Sequence, residues 1–165
     1  MNAVLSRRHT RFPRLSRLGW LMGLYAENHA KLVGLFDVRA LAPGHYVSMA
    51  GDGLELHVEV MEQHRYTTEL RLSYAMLDPV TGEPDPSAHL RVYHDAKQVE
   101  VTHCYVGRRW QDVIGLNPPA DAVFGYRFRI NTFLGKWLDY LTPQGHGMAT
   151  MQEWHPNVSA VSKSA

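Results

Sequence analysis

The sequence predicts an α+β domain in which an antiparallel sheet of about five strands is covered by an N-terminal and a C-terminal helix. Three observations carry this prediction. Apolar residues follow helical spacing near both ends of the chain, they alternate with polar residues in the middle, and turn-forming residues separate the alternating stretches. Strands that are apolar on one face need a cover, so we expect a two-layer α-β-β-β-β-β-α sandwich with one open sheet face.

Length and composition indicate one globular domain. The chain has 165 residues, of which 45% are hydrophobic and 20% are charged, and its formal net charge is +1. This length is ordinary for a single domain with its own core. The single cysteine, Cys104, has no partner for an intramolecular disulfide, which fits a reducing compartment. We expect a flexible Arg-rich arm over residues 1–14, the domain over 15–142 and a disordered tail over 143–165.

The first predicted element is a helix that begins after Ser16, because serine caps helix N-termini well. Its apolar face is built from residues at helical spacing, namely Leu18, Leu21, Met22, Tyr25, Leu32, Leu35 and Phe36. Pro43-Gly44 marks the exit from this region.

The middle of the chain alternates with a period of two, which indicates strands with one apolar face. The predicted strands cover residues 45–50, 54–60, 66–74, 90–94 and 99–105. Gly51-Asp52-Gly53 predicts the turn of the first hairpin, because glycine tolerates positive φ. The proline-rich segment 78–86 is predicted to be a loop.

The last part of the domain is predicted to be a long connection followed by a helix. Residues 107–125 contain Pro118-Pro119 and are typical of a mobile connection. Apolar spacing indicates a helix over residues 126–141, which Pro143 and Gly145 end. The Gly-, His- and Ser-rich residues that follow favour disorder.

Four stretches of the sequence together resemble one family. They are Leu24-Tyr25-x-x-Asn28-x-x-x-Leu32, Arg65-Tyr66-Thr67-Thr68, Arg91-Val92-Tyr93-His94-Asp95-Ala96 with Glu100-Val101, and Ile130-Asn131-x-Phe133-Leu134-x-x-Trp137-Leu138. The chain resembles the YqiB-like family of small bacterial proteins over residues 24–141, and the Tyr-His-Asp-Ala stretch is the most specific part. The resemblance implies a bacterial cytosolic protein. It implies no activity, because the family is itself a domain of unknown function.

The predicted hairpin from Arg91 to Glu100 is the main candidate binding site. Alternation places Arg91, Tyr93 and Glu100 on the face opposite the valines, so a cation, a phenol and a carboxylate share the open sheet face. We expect a two-residue loop to set Arg91 opposite Glu100, and a four-residue loop to set Tyr93 there. A purely structural cross-strand ion pair is the competing interpretation.

His94 and Asp95 stand at the tip of this hairpin and are the candidate catalytic residues. A neighbouring His and Asp can act as a base and its orienting group. The competing interpretation is a half-buried His94 beside an Asp95 that closes its own turn by a side-chain hydrogen bond. Arg65 is a further candidate anion ligand because its guanidinium is bidentate. Tyr66 is in phase with the apolar residues of its strand and is predicted to lie in the core.

The sequence predicts no metal or cofactor site. The ten histidines show no close ligand pair of the kind that structural zinc sites use. The sequence contains no phosphate-binding glycine motif and no Gly-x-Ser-x-Gly motif. Cys104 is predicted to be a buried, inert thiol. Asn28 and Asn131, which could form a polar patch with Trp137, are predicted to tie the helices to the sheet.

The sequence supports three hypotheses about function. The leading one is a non-enzymatic, cytoplasmic binding or adaptor protein that contacts a protein partner or forms a homodimer through its sheet. The second is a small hydrolase or lyase acting on an anionic, phosphorylated or nucleotide-like metabolite, in which Arg91 holds the anion. The least favoured is nucleic-acid contact through the N-terminal arginines, namely Arg7, Arg8, Arg11, Arg14 and Arg17.

Two structural features discriminate between these hypotheses. An enzyme requires a concave pocket around the hairpin residues, whereas an adaptor requires an exposed apolar patch. A membrane-spanning protein is not expected, because no stretch of the sequence approaches the ~20 apolar residues that cross a bilayer.

Overall fold

The structure is a computed structural model that describes residues 16–105 and 117–155 of the chain. In chain order its elements are α1 (Arg17–Leu35), β1 (Gly44–Met49), β2 (Glu55–Gln63), β3 (Thr67–Tyr74), β4 (Ser87–Tyr93), β5 (Gln98–Tyr105), α2 (Ala120–Gln144), a 3-10 turn (Met148–Thr150) and β6 (Met151–Glu153). The strands form one antiparallel sheet in the order β5-β4-β3-β2-β1-β6. The helices flank this open sheet, so the predicted α+β fold is confirmed.

The N-terminal helix begins where the sequence predicts. The Ser16 hydroxyl accepts a hydrogen bond from the backbone N–H of Gly19 at 3.0 Å, which satisfies one of the free donors of the first turn. The buried side chains of α1 form one stripe, consisting of Leu21, Tyr25, Asn28, Leu32 and Leu35. Through this stripe α1 packs on α2 and on β5, and forms part of the layer that covers the sheet.

The strands alternate between a buried and a more exposed face. In β2, Leu56, Val58 and Val60 are buried, whereas the residues between them are partly exposed. In β3, Leu70 and Leu72 are fully buried. The core lies between this face of the sheet and the helices. The opposite face, which we call the open face, carries polar and charged side chains, as expected for an antiparallel sheet with one wet side.

The C-terminal helix is longer than predicted. The sequence indicates residues 126–141, whereas α2 spans Ala120–Gln144, so residues 120–125 of the expected connection are helical. Pro143 lies inside the last turn of α2 and does not stop it. Gly145 ends the helix as predicted, because its φ of 90° suits glycine and its N–H reaches the carbonyls of the preceding turn. The expected connection between residues 106 and 116 lies outside the described residues.

The residues after α2 form a sixth strand, which corrects the expected disorder of residues 143–165 as far as the structure describes them. β6 pairs antiparallel with β1, and Val47 lies opposite Gln152. A strand of 3 residues is too short to show a periodic pattern, so sequence reasoning did not find it. The predicted arm over residues 1–14 and the end of the tail, 156–165, lie outside the described part of the chain.

Two buried asparagines join the helices to each other and to the edge of the sheet. The Asn131 carboxamide oxygen accepts the backbone N–H of Val101 in β5 at 2.9 Å, and its NH₂ group donates to the Arg127 carbonyl at 2.8 Å. Asn28 donates to the Asn131 backbone carbonyl at 2.8 Å. Both asparagine side chains are fully buried. Asn131 ties α2 to the sheet, as predicted, whereas Asn28 ties α1 to α2 and not to the sheet. The backbone N–H of Val101 in the edge strand β5 is therefore already bonded to the Asn131 side chain.

Candidate binding surfaces

The hairpin residues Arg91, Tyr93 and Glu100 lie together on the open face, and each has a partner within the fold. Arg91 forms an ion pair with Glu69 of β3, with 2.6 Å between nitrogen and oxygen. The Tyr93 hydroxyl donates to one carboxylate oxygen of Glu100 at 2.7 Å. The other oxygen of Glu100 lies 3.2 Å from the Arg127 guanidinium of α2. A side-chain hydrogen bond between Arg91 and Tyr93 links these contacts, so the three predicted binding residues lie in one network. Arg91 and Glu100 pair with Glu69 and Arg127, respectively, and not with each other.

The register of this hairpin differs from one step of the sequence argument. Residues 94–97 connect the strands, Arg91 lies opposite Glu100, and Tyr93 lies opposite Gln98. The expectation that a four-residue loop sets Tyr93 opposite Glu100 is wrong, because lengthening a loop equally on both sides leaves the cross-strand pairs unchanged. The bond to Glu69 raises the pKa of Arg91, and burial together with the Glu100 bond raises the pKa of Tyr93.

His94 and Asp95 have separate hydrogen-bond partners. The Nε2 atom of His94 lies 2.8 Å from Thr68 Oγ1, and the His94 backbone N–H donates to the Tyr66 carbonyl at 2.9 Å. The Asp95 carboxylate accepts the N–H of Ala96 at 2.9 Å, which closes the turn locally. In the described chain these contacts do not arrange His94 and Asp95 as a base and its orienting group.

Arg65 and Tyr66 belong to the turn before β3. The Arg65 guanidinium carbon lies 5.1 Å from the centre of the Tyr66 ring. Tyr66 is 53% exposed, so its predicted place in the core is wrong. β3 begins at Thr67, so Tyr66 lies in the turn that precedes the strand. The alternation of β3 therefore cannot be extended back to Tyr66.

Sequence reasoning missed a buried serine, histidine and aspartate that meet where β1, the β1–β2 turn and the segment after α2 come together. Ser48 Oγ lies 3.0 Å from His146 Nδ1, and His146 Nε2 lies 3.2 Å from each carboxylate oxygen of Asp52. Ser48 Oγ also lies 2.7 Å from Thr150 Oγ1. The available sequence signals are weak: Asp52 lies in a predicted turn, and His146 directly follows the glycine that ends α2.

This network has the residue types of a hydrolytic triad but lacks access to substrate. Ser48 is fully buried and His146 is 3% exposed, so the network ties the segment after α2 to the sheet. Burial acts to raise the pKa of Asp52. Hydrogen bonds from the Leu54 N–H, His146 and Tyr140 act in the opposite direction and together hold the pKa below its usual value. The carboxylate therefore stays ionised and keeps its acceptor role in the fold.

The β1–β6 end of the open face carries exposed apolar surface. Met49 is 57% exposed and Trp154 is 43% exposed. The Trp154 ring packs on His45 with 4.6 Å between ring centroids, and His45 Nε2 lies 2.8 Å from His57 Nδ1. A depression of about 620 Å³ lies here, and we call its lining residues the β6 surface, consisting of Val47, Met49, Thr150, Gln152, Glu153, Trp154 and His155. A second depression, of about 380 Å³, lies on α2, and neither includes a hairpin residue.

A row of side chains crosses the open face from β6 to β5. Backbone pairing aligns them in the order Trp154, His45, Glu59, Arg71, His89 and His103. Glu59 and Arg71 form an ion pair at 2.6 Å in the middle of the row. Burial lowers the pKa of His45 and of His89, and nearby positive charge, including that of Arg71, lowers it further. The two histidines are therefore neutral at pH 7.

Other classes of site have no counterpart in the described residues. Within residues 16–105 and 117–155, no three His, Cys, Asp or Glu side chains converge in an arrangement that holds a metal ion. In the same ranges, no helix combines the length and the apolar composition that crossing a bilayer requires. Burial raises the pKa of the Cys104 thiol to about 12. Cys104 is therefore the buried, unreactive thiol that the sequence predicts.

A protein family matches most of the domain. Its model, described as a protein of unknown function (DUF1249), matches residues 31–147, which is more than half of the chain. The chain belongs to the DUF1249 family. The DUF1249 match includes the hairpin and the Ser48, Asp52 and His146 network, and it ends before Trp154. No curated protein and no solved structure matches the chain.

Proposed function

We propose that the protein is a non-enzymatic binding module that adds an extended segment of a partner protein to its sheet at β6. The main support is the depression at the β6 surface, where Met49 and Trp154 expose large apolar side chains. An exposed apolar patch beside a sheet edge is a common place for partner binding. It is also the feature that the adaptor hypothesis requires.

Strand addition is the binding mode that suits this edge. β6 is the terminal strand of the described sheet, and its inner side pairs with β1, as in the hydrogen bond from the Trp154 N–H to the His45 carbonyl at 2.7 Å. The outer backbone groups of an edge strand are a template for another strand. At the opposite edge, Asn131 already occupies the Val101 N–H. The β6 edge is therefore the favoured one.

The chemistry of the depression defines the segment that fits it. An extended segment presents alternate side chains to the open face, so one side chain enters the depression beside Trp154 and Met49. The volume of about 620 Å³ accommodates an aromatic or branched aliphatic side chain. We therefore expect a partner segment with a large apolar residue at this position. A second copy of the chain, paired through β6, is the homodimeric form of the same proposal.

The other hypotheses have less support. For a hydrolase or lyase acting on an anionic metabolite, Arg91 already pairs with Glu69, and His94 and Asp95 bind different groups. Nucleic-acid contact by the N-terminal arginines stays a prediction, because four of the five lie in residues 1–15, outside the described chain. The fifth, Arg17, pairs with Asp121 at 2.8 Å. We also propose that the protein is located in the bacterial cytosol and is related to YqiB-like proteins within the DUF1249 family. Both points rest on the sequence resemblance.

Selection from a random peptide library, followed by affinity measurement, tests the proposal. Trp154→Ala removes the exposed aromatic ring of the β6 surface. Trp20→Ala is the matched control, because Trp20 is 61% exposed but belongs to α1. A central aromatic contact contributes about 2 kcal/mol or more, so selected peptides should bind Trp154→Ala about 30-fold more weakly than wild type. They should bind Trp20→Ala as tightly as wild type.

Hydrogen exchange and sedimentation identify where and what the protein binds. A peptide that adds to the sheet should protect the backbone amides of β6 from exchange, because they gain hydrogen-bond partners. Peptides that bind Trp154→Ala as tightly as wild type, or that lose affinity for Trp20→Ala, contradict the proposal. A concentration-dependent dimer that Trp154→Ala abolishes identifies a second copy of the chain as the partner.

A further inference from the structure

One end of the sheet collects basic side chains from three connections and from α1. We call it the basic end and define it by His29, Arg39, Arg65, His94 and Lys97. The Gln63 amide donates to the Arg39 carbonyl at 2.9 Å, which joins the α1–β1 loop to the β2–β3 turn. The His94 backbone N–H donates to the Tyr66 carbonyl at 2.9 Å, which joins the β4–β5 turn to the β2–β3 turn as well. The three connections are therefore held side by side.

The cations of the basic end lack a described carboxylate partner. On the open face, Arg71 and Arg91 each form an ion pair at 2.6 Å. In the described part of the chain, by contrast, no ion pair joins Arg39, Arg65 or Lys97 to an acidic residue. All three are exposed at the surface. Their charges are therefore available to an external anion.

The acidic side chains of the same connections are engaged locally. The Asp95 carboxylate accepts the N–H of the residue that follows it at 2.9 Å. The Glu62 carboxylate lies 3.2 Å from the His64 ring. The Asp37 carboxylate accepts a backbone N–H of its own loop at 3.3 Å. These contacts direct the carboxylates to their own turns rather than to the cations of the basic end.

The two imidazoles of the basic end lie in a positive field. Burial lowers the pKa of His94, and the charge of Arg39 lowers it further, while Asp95 has a smaller opposite effect. Burial and the charge of Lys97 lower the pKa of His29. Both rings are therefore neutral at pH 7, and a negative charge placed beside them would favour their protonation.

We propose that the basic end binds the phosphate group of a small phosphorylated metabolite. The Arg39 guanidinium offers a planar fork that matches two phosphate oxygens, and the Lys97 ammonium adds a second charge. Thr68 Oγ1 holds the Nε2 atom of His94 at 2.8 Å, which fixes the ring and leaves Nδ1 to donate to a phosphate oxygen once the ring is protonated. The basic end shares no residue with the β6 surface, so this inference does not depend on strand addition.

NMR titration of the full-length protein with inorganic phosphate, at constant ionic strength, tests the proposal. We expect saturable shifts of the His29 and His94 ring signals and a higher pKa for both rings in saturating phosphate. Arg39→Gln and Lys97→Asn should each weaken binding by about tenfold or more, because a charge-assisted contact is lost. Lys136→Gln is the matched control, since Lys136 is an exposed cation on α2 and should bind phosphate as wild type does.

Two further ligands sharpen the test. Sulfate keeps its charge between pH 8 and pH 6, so tighter sulfate binding at the lower pH reports proton uptake by the protein and not by the anion. Phenyl phosphate, a monoester, should bind at least as tightly as inorganic phosphate if the natural ligand is a phosphorylated metabolite. Both substituted cations are exposed, and asparagine tolerates the φ of 51° at Lys97, so the variants should fold and melt as wild type does.

Several results would overturn this inference. Shifts that rise linearly without saturation, or an equal loss of affinity in Arg39→Gln and Lys136→Gln, would show screening rather than a site. An unchanged pKa of His94 in saturating phosphate would show that the anion binds elsewhere. If phenyl phosphate does not bind, a phosphorylated metabolite cannot be the ligand. Trp154→Ala should bind phosphate normally, so this inference and the strand-addition proposal fail independently.

Discussion

Truncation of Asn131 should destabilise the fold more than the small size of its side chain indicates. Asn131→Ala removes two side-chain hydrogen bonds and leaves the buried Val101 N–H without a partner. An unsatisfied buried donor costs about 1–3 kcal/mol, and a lost hydrogen bond costs about 1 kcal/mol. We therefore expect the free energy of unfolding to fall by about 3 kcal/mol, a large part of the stability of an ordinary domain.

Equilibrium unfolding in urea measures this loss, and hydrogen exchange locates it. The Val101 amide should exchange faster in Asn131→Ala than in wild type, because its acceptor is gone. Thr132→Ala is the matched control, since Thr132 bonds only the Phe128 carbonyl of its own helix, and it should change stability by less than about 0.5 kcal/mol. Asn28→Ala removes one hydrogen bond and should cost about 1 kcal/mol.

The pair of asparagine variants gives a further check. Asn28 donates to the backbone carbonyl of Asn131, so the two side chains belong to one network, and the loss in the double variant should differ from the sum of the single losses by about 0.5 kcal/mol or more. A loss below about 1 kcal/mol for Asn131→Ala, with unchanged exchange at Val101, would refute the reasoning. It would mean that the carboxamide does not hold the edge of β5.

Three other predictions concern stability. Gly135→Ala places a Cβ 2.8 Å from Asn28 Oδ1 and should lower the melting temperature. Gly34→Ala, whose Cβ meets no atom within 4 Å, should raise the free energy of unfolding by up to about 1 kcal/mol. Thermal melts in which Gly135→Ala is more stable than Gly34→Ala would contradict this. Asp52→Asn should cost about 1–3 kcal/mol near pH 7. Because the folded state lowers the pKa of Asp52, the difference in free energy of unfolding between Asp52→Asn and wild type should shrink as the pH falls below 3.8, the usual pKa of the group. Urea unfolding at low pH measures this difference. Folding lowers the pKa of His89, so the free energy of unfolding of the wild type should fall as the pH drops below 6.5. Urea unfolding at a series of pH values should show a smaller dependence on pH for His89→Gln. An equal pH dependence in the two proteins would contradict this prediction.

The sequence by itself determined the elements whose signals are local. The covering helices and the hairpin strands could be predicted because their apolar side chains repeat with the period of the element. Ser16 and Gly145 mark helix ends through contacts with residues only a few positions away. A structural role for Asn28 and Asn131 could also be predicted, because polar residues on the buried side of a helix must find hydrogen-bond partners.

The tertiary structure decided which polar groups meet. Register places Arg91 opposite Glu100, yet these residues pair with Glu69 and Arg127 from other elements. Arg39 has no described carboxylate partner and becomes part of the basic end. A sequence pattern reports distance along the chain, whereas ion pairs depend on distance in space, so the candidate site could be predicted only as a set of residue types.

β6 and the buried network beside it show the same limit most clearly. Ser48 and His146 are 98 positions apart and meet because the segment after α2 returns to β1. A strand of 3 residues gains its stability from the neighbour it pairs with, and not from its own periodicity. The sequence therefore determined the two layers of this fold, while long-range pairing decided the edge that exposes Trp154 and the end that gathers the cations.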